Sequence, residues 1–172
     1  MNNIYLIGFM GTGKTTVANN LTKFLPFTVL EMDEAIERVE CMSIPEIFSK
    51  KGEQGFRDAE SQLLKIISQQ NNQIISCGGG IVLRQENVDI MKSTGSIVRL
   101  VASPEVIYER VSRNNKRPLA SGKSLDEIKA MMEEREPMYK NAAEFVVDSS
   151  EKDSTEVASE IIKQLALAER LN

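Results

Sequence analysis

A glycine-rich segment near the start of the chain has the residue types that bind phosphate groups. Residues 8–16 read GFMGTGKTT and fit the pattern G-x-x-x-x-G-K-[ST]. In this pattern backbone N–H groups surround the phosphates, the lysine reaches the β and γ phosphates, and the hydroxyl holds Mg²⁺. We therefore predict a nucleoside triphosphate site. The residues expected to contact the nucleotide are Gly11, Thr12, Gly13, Lys14, Thr15 and Thr16.

The residues on either side of this motif agree with the prediction. The apolar run at residues 4–7 is typical of a buried strand, and residues 15–25 place apolar side chains at helical spacing. A helix that begins at Lys14 would direct its unpaired N–H groups and the positive end of its dipole at a phosphate. The competing interpretation is a tight turn that happens to end in Lys-Thr, and it does not account for the strand and helix around it.

Two acidic residues, Glu31 and Asp33, follow the second strand-like run of the chain. Beside a nucleotide site they could face a Mg²⁺ ion or a substrate hydroxyl. The alternative is that Asp33 caps the next helix and its neighbours are ordinary acids of the first turn. Both interpretations stay open, and the position near the phosphate motif favours the functional one.

Two further patterns are open to a functional or a structural interpretation. Arg57 and Glu60 are three residues apart and share a helical face, and most such pairs are solvated surface ion pairs. Gly78, Gly79 and Gly80 follow the third strand-like run. They would either let a ligand approach bare backbone N–H groups or make a flexible loop. Their place at the end of a strand favours a binding site.

A polar and basic segment, NNKRPLASGK, occupies residues 114–123. Such a segment suits a mobile lid, because closure would bring the charge of Arg117 to the phosphates and expel water. An ordinary solvent-exposed loop is the alternative. We place the predicted lid at about residues 112–124.

The elements that must position these residues follow from the alternation of strand-like and helical patterns. This alternation predicts an α/β fold in which helices cover both faces of a five-stranded parallel sheet. Ligands of such sheets bind at the carboxyl ends of the strands, where most candidate residues fall. Pro137 is expected to kink or end the helix that carries Arg135, near that residue. The predicted strands are 4–7, 27–30, 73–76, 96–101 and 144–147.

Composition limits the possible partners. The 172 residues, 41% apolar and 27% charged, suit one globular domain over residues 1–172. The net charge of −4 gives no basic footprint for nucleic acid, and no apolar run approaches the ~18 residues that cross a membrane.

No signal segment precedes the first strand, so we expect a cytoplasmic protein, and the modest size suits a monomer. Because histidine is absent, acid–base chemistry would fall to carboxylates or lysine.

In combination these motifs resemble the shikimate kinase family across nearly the whole chain. Each motif is modest alone, but together they follow the family's order and spacing, and that joint match is specific. The matching residues are 8–16, Asp33 with Ile36 and Glu37, Gly52 and Glu53 with Phe56, Arg57 and Glu60, 78–80, 117–119, and Arg135 with Tyr139.

The resemblance implies an enzyme that phosphorylates a small metabolite. The family transfers a phosphoryl group from ATP, with Mg²⁺, to the 3-hydroxyl of shikimate, a step towards chorismate and the aromatic amino acids. By resemblance, Arg57 and Arg135 would hold the shikimate carboxylate, and Asp33 would hold and orient the ring hydroxyls. Gly79 and Gly80 would add backbone N–H groups. The substrate-binding helical region would span about residues 33–60.

The resemblance also implies roles on the nucleotide side. Lys14 and Thr15 would bind the phosphates and Mg²⁺, Arg117 would contact the transferred phosphoryl group, and Arg110 would lie beside adenine. The residues expected to act in catalysis are Lys14, Asp33 and Arg117. Glu60 would hold Arg57 in place.

Some residues depart from the family pattern, and two other functions are alternatives. Glu31 stands where the family usually has Asp, which leaves open whether it meets Mg²⁺ directly or through water. Met138 and Ala120 stand where leucine is common. A related small-metabolite kinase, such as a gluconate kinase, would not need paired arginines for a carboxylate. A non-catalytic nucleotide-binding module would need only the phosphate motif.

Overall fold

The computed structural model describes residues 2–113 and 122–171. The strands in these ranges are β1 (Asn3–Ile7), β2 (Thr28–Glu31), β3 (Gln73–Ser76), β4 (Gly95–Val101) and β5 (Phe145–Asp148). They form a five-stranded sheet in the order β2-β3-β1-β4-β5, and each neighbouring pair is parallel. The predicted five-stranded parallel sheet is confirmed.

Helices connect the strands, as expected for parallel pairs that need crossover connections. The helices of the described residues are α1 (Lys14–Leu21), α2 (Met32–Glu40), α3 (Ile44–Ile67), α4 (Gln85–Thr94), α5 (Pro104–Ser112), α6 (Leu125–Ala142) and α7 (Ser154–Leu171). A short 3₁₀ turn covers Ile81–Leu83. None of these helices combines the length and apolar character needed to cross a membrane.

Each face of the sheet has its own apolar core. Along the central strand β1, Tyr5 and Ile7 pack with residues of α2, α3, α4 and α6, whereas Ile4 and Leu6 pack with residues of α1 and α7. This alternation follows from the two-residue period of a strand, which points successive side chains to opposite faces. Helices therefore cover both faces, as predicted.

The carboxyl ends of three strands meet at one edge of the sheet. In the register of the parallel pairs, Ser76 of β3 lies opposite Leu6 of β1 on one side and Glu31 of β2 on the other. The phosphate motif after β1, the acidic residues of β2 and α2, and the glycines after β3 are thereby brought together.

Helix α3 consists of two helical segments that meet at Gly52. This glycine has φ 70° and ψ 179°, a backbone conformation essentially restricted to glycine. The first segment begins at a capping box formed by Ser43 and Glu46. The second segment carries Arg57 and Glu60. The kink therefore lets one continuous element turn both segments toward the same part of the molecule.

Pro137 was expected to kink or end helix α6 near Arg135, and the second of these outcomes is wrong. The helix continues through Pro137 to Ala142. Tyr139 and Ala142, which follow the proline, are 1% and 0% exposed. Burial of this last turn against the core outweighs the single helical hydrogen bond that proline cannot donate.

Candidate active site

The phosphate motif forms the loop that its sequence predicts. Gly8 and Gly13 have φ values of 146° and 92°, which L side chains rarely adopt, and a Cβ on Gly8 would lie 2.4 Å from the Leu100 carbonyl oxygen. Helix α1 begins at Lys14. The Lys14 Nζ donates hydrogen bonds to the carbonyl oxygens of Gly8 at 2.8 Å and Phe9 at 3.1 Å. The ammonium group is therefore held over the same loop that would surround a phosphate chain.

A cavity of 410 Å³ opens in front of this loop. Its lining combines the loop, the start of α1, the ends of β2 and β3, and one side of α5. The predicted nucleotide contacts that line it are Gly11, Gly13, Lys14, Thr15, Thr16 and Arg110. Thr12 instead lies beneath the loop, 1% exposed, with its hydroxyl donating to the Phe9 carbonyl at 2.8 Å.

Glu31 contributes a half-buried carboxylate to the wall of this cavity. Its Oε1 has no hydrogen-bond partner among the described residues. Burial raises the pKa of Glu31, while hydrogen bonds from the hydroxyls of Ser76 and Thr15 oppose that rise. A cation beside Oε1 would supply the missing partner and favour the ionised form. Thr15 and Glu31 therefore fit a Mg²⁺ site.

Such an ion would take most of its ligands from bound phosphates. Within residues 2–113 and 122–171, no group of three His, Cys, Asp or Glu side chains could hold a metal ion. In nucleotide sites Mg²⁺ commonly takes one or two protein oxygens together with substrate phosphates and water.

Arg110 ties the phosphate loop to the end of β5. Its guanidinium donates to the Gly11 carbonyl at 3.1 Å and to the Ser149 carbonyl at 2.9 Å. The Ser149 hydroxyl contacts the Thr12 carbonyl at 2.8 Å. Arg110 thus lines the nucleotide cavity and stabilises its floor, and its contact with adenine stays a prediction.

A second cavity of 310 Å³ adjoins the first and shares Asp33, Gly78 and Gly79 with it. Every residue expected to bind the acceptor lines this second cavity, namely Asp33, Arg57, Gly79, Gly80 and Arg135. The lining also includes Gly78 of the glycine run that the sequence favoured as a binding site. The residues of the lining to which the sequence gave no individual role are Met10, Glu37, Ile44, Pro45, Phe48 and Phe56. Most of these are apolar, and their sequence pattern is that of ordinary helix faces.

Arg57 and Glu60 form a buried ion pair at the floor of the second cavity. Arg57 Nη1 and Glu60 Oε2 are 3.0 Å apart, with side chains 7% and 1% exposed. The interpretation as a solvated surface pair is therefore wrong, because the helical face that they share is covered. Burial raises the pKa of Glu60 to about 7, against the opposing charge of Arg57. Glu60 Oε1 and Arg57 Nε have no hydrogen-bond partner among the described residues.

The three consecutive glycines allow charged side chains to approach bare backbone. A Cβ on Gly78 would lie 2.9 Å from Asp33 Oδ1 and 3.0 Å from Glu60 Oε1. A Cβ on Gly80 would lie 2.3 Å from Arg57 Nη1. Any larger residue at these positions would displace the charged groups, so the glycines determine the shape of the second cavity.

Arg135 and Tyr139 approach the site from helix α6. The Arg135 guanidinium lies 5.8 Å from the centre of the Phe9 ring, and it lines the second cavity. The Tyr139 hydroxyl donates to the Gly79 carbonyl. Burial raises the pKa of Tyr139 to about 12, so the hydroxyl stays protonated as a donor. The sequence had given Tyr139 no role of its own.

The predicted lid arginine, Arg117, lies outside the described residues, together with most of the predicted lid. The described part of that segment is residues 112–113 and 122–124. The lid and the role of Arg117 stay predictions.

Comparison with known proteins gives a consistent result. A family model described as shikimate kinase matches residues 10–166. The shikimate kinase of Thermodesulfovibrio yellowstonii is 45% identical over 95% of each chain, and that of Caldanaerobacter subterraneus is 40% identical over 95% of each chain. The solved structure of shikimate kinase from Acinetobacter baumannii in complex with shikimate covers 100% of this chain and 96% of its own, with a TM-score of 0.92 and 32% identity.

Proposed function

The chain belongs to the shikimate kinase family and catalyses the phosphorylation of shikimate by ATP, and we propose that its two adjoining cavities divide this reaction between them. The 410 Å³ cavity takes the nucleotide and the 310 Å³ cavity takes shikimate. The observation that carries the proposal is their shared wall of Asp33, Gly78 and Gly79. Only along such a wall can a donor phosphate and an acceptor hydroxyl come into contact.

Shikimate is a small ring with one carboxylate and three hydroxyls, and the second cavity offers groups for each. Arg57 and Arg135 bind the carboxylate, because guanidinium groups present paired donors in the plane that a carboxylate needs. Gly79 and Gly80 donate backbone N–H groups to the ring substituents. Asp33 accepts from the ring hydroxyls and orients the 3-hydroxyl toward the donor.

The nucleotide side depends on the phosphate loop. Lys14 contacts the β and γ phosphates, and the loop N–H groups surround them. Thr15, and Glu31 either directly or through water, would hold Mg²⁺, which would neutralise phosphate charge. Arg110 lies beside the nucleotide, and Arg117 of the proposed lid contacts the transferred phosphoryl group.

Positioning and electrostatics account for most of this catalysis. Phosphoryl transfer passes through a loose transition state with charge spread over the phosphoryl oxygens. Lys14 approaches this charge from the loop, and Asp33 holds the attacking hydroxyl from the shared wall. A weak base at Asp33 is sufficient, because a loose transition state demands little activation of the nucleophile.

The proposal extends to the organisation of the chain. Residues 1–172 form one domain, in which residues 112–124 act as the lid and residues 33–60 as the substrate-binding helical region. The protein acts as a monomer in the cytoplasm, where ATP is available, and does not act on nucleic acid or membranes.

A coupled assay of ADP release tests the proposed function. We expect ADP only when ATP, Mg²⁺ and shikimate are all present. Faster turnover of gluconate than of shikimate would overturn the acceptor assignment, and no turnover with either acceptor would favour a nucleotide-binding module. A Lys14→Ala variant with normal kcat would contradict the role given to the phosphate loop.

A further inference from the structure

Arg99 is a buried charge in an otherwise apolar stretch of the sheet. It lies in β4, whose sequence is GSIVRLV, and is 9% exposed. Its neighbours in the parallel register are Ile7 of β1 and Val146 of β5. A buried arginine needs compensating partners, because removing an isolated charge from water is unfavourable. The function proposed above gives this residue no part.

Two partners of Arg99 among the described residues come from helix α6. Its two terminal nitrogens donate to the two carboxylate oxygens of Glu136, at 3.1 Å and 2.5 Å. Its guanidinium also lies 5.0 Å from the centre of the Tyr139 ring. A paired contact of this kind fixes orientation as well as distance. Arg99 therefore fixes both the position and the rotation of this part of α6 on the sheet.

The fixed part of α6 is the part that reaches the acceptor cavity. Glu136 directly follows Arg135, which lines that cavity. Tyr139 is three residues further along, and its hydroxyl binds the Gly79 carbonyl. The positive charge of Arg135 also acts on the Tyr139 hydroxyl, because it lowers the Tyr139 pKa against the larger effect of burial. Through one helical turn, the contacts of Arg99 thus reach Arg135 and the Gly79 backbone, which both contact shikimate in the proposed site.

Pro137 increases the need for an external constraint here. A proline inside a helix cannot donate to the carbonyl four residues earlier, so this turn of α6 lacks one helical hydrogen bond. The ion pair with Arg99 connects the weakened turn to the rigid centre of the sheet.

We propose that Arg99 is a positioning residue for shikimate, which acts through Glu136 and Tyr139 to fix Arg135 and the Gly79 backbone. The proposal rests on the acceptor roles proposed for Arg135 and Gly79. Arg99 does not touch the substrate, so its removal weakens shikimate binding without removing any contact to ATP.

Binding measurements on Arg99→Gln and Glu136→Gln test this role. We expect each variant to raise the Kd of shikimate about tenfold, as for the loss of one charge-assisted contact, and the Kd of ATP less than about twofold. The double variant should lose little more than either single variant, because the two residues act as one unit. Arg99→Lys, which keeps the charge but not the paired geometry, should fall between wild type and Arg99→Gln.

Lys129→Gln is the matched control. Lys129 also lies on α6 and pairs with Glu105 at 3.2 Å, with side chains 41% and 61% exposed, and neither residue lines the acceptor cavity. We expect wild-type shikimate affinity from this variant. If Arg99→Gln fails to fold, Glu136→Gln still decides the question, because its side chain is 39% exposed and can be hydrated.

The outcomes separate this proposal from the proposed function. Wild-type protein that does not bind shikimate would overturn the function itself. Wild-type binding with unchanged shikimate Kd in both variants would overturn the positioning role and leave the function intact. Equal losses of shikimate and ATP affinity would indicate a general structural role, which also contradicts the proposal.

Discussion

The Arg57 guanidinium lies against Gly80, and its position depends on the absence of a side chain at that residue. Gly80 has φ −98°, which any residue can adopt, so no backbone strain requires glycine there. The requirement comes from Arg57, whose Nη1, Cζ and Nη2 would all lie within 2.4 Å of a Cβ at position 80. Because the contact is with the far end of a long side chain, a larger residue would move the guanidinium rather than unfold the protein.

We predict that Gly80→Ala weakens shikimate binding selectively. The displaced Arg57 would no longer meet the substrate carboxylate, so the Kd of shikimate should rise about tenfold or more. Because the displaced guanidinium also strains its buried ion pair with Glu60, the free energy of unfolding should fall by about 1–3 kcal/mol. Calorimetric titration with shikimate and with ATP, together with urea unfolding, measures both effects.

A double variant tests the mechanism of this loss. In an Arg57→Ala background the Cβ at position 80 meets no guanidinium, so adding Gly80→Ala should cost little further affinity. Fully additive losses would show that Gly80 acts through some contact other than Arg57.

The Glu60 carboxyl gives the site a pH dependence of defined sign. Burial raises its pKa to about 7, so it is part protonated at neutral pH. Bound shikimate brings another carboxylate toward Glu60, and a like charge disfavours the ionised form and raises the pKa further. The complex then holds more protons than the free protein.

We therefore predict that shikimate binding takes up protons near pH 7. By linkage, shikimate affinity should fall as the pH rises through about 7. Calorimetry at pH 7 in buffers of different ionisation enthalpy measures the uptake, and Glu60→Gln should remove most of it. Proton release by the wild type, or unchanged uptake by Glu60→Gln, would refute this role of Glu60.

At the scale of elements, the kink in α3 shapes the acceptor cavity. Phe48 lies before Gly52, and Phe56 and Arg57 lie after it, yet all three line the same cavity. The rings of Phe48 and Phe56 are 4.9 Å apart, so the two segments pack against each other across the kink. A straight helix could not bring both segments to one cavity in this way.

We predict that Gly52→Ala destabilises the protein through its backbone alone. A Cβ at position 52 would meet no atom of the described residues within 4 Å, so crowding is not a factor. The φ of 70° and ψ of 179° should cost alanine about 1–3 kcal/mol of unfolding free energy. Urea unfolding measures this, with Lys50→Ala, two residues earlier and exposed, as a control that should change by less than about 0.5 kcal/mol. An unchanged unfolding free energy in Gly52→Ala would mean that the kink does not have this conformation.

The strands and helices were easier to predict from the sequence than the contacts between residues that are distant in the chain. The five strands were found because strands of a parallel sheet are buried on both faces and give continuous apolar runs. The expectation that Pro137 could end the helix failed, because it rested on local hydrogen bonding, whereas the burial of Tyr139 depends on the whole core. Arg99 was missed for a similar reason, since its partner Glu136 is 37 residues away and no local pattern joins them.

In the candidate site, too, local patterns were predictable from the sequence and contacts between distant residues were not. Asp33, Arg57 and Arg135 come from distant parts of the chain and were assigned to one ligand through the family resemblance, and they do line one cavity. Residue types and spacing alone predicted the phosphate loop, but they favoured a solvated surface ion pair for Arg57 and Glu60. Helical spacing shows that two side chains share a face, but it does not show whether that face is covered.

At the scale of the whole molecule, the two faces of the sheet have different relations to the site. The core on the face of α2, α3, α4 and α6 lies beneath the acceptor cavity, and its residues include Ile36 and Phe56. The core on the face of α1 and α7 includes Ile161 and contains no residue of the acceptor cavity. The two cores therefore contribute alike to stability but differently to shikimate binding.

Two matched core variants test this separation. Ile36 and Ile161 are 1% and 0% exposed, so Ile36→Ala and Ile161→Ala should each cost about 2–5 kcal/mol of unfolding free energy. Ile36 is one helical turn after Asp33, and a cavity beneath α2 would loosen that carboxylate, so Ile36→Ala should also raise the shikimate Kd severalfold. Ile161→Ala should bind shikimate like wild type when both variants are measured well below their Tm. Similar losses of shikimate affinity in both variants would instead mean that the acceptor cavity depends on the stability of the whole sheet. In that case a loss of packing on either face of the sheet would disturb the cavity.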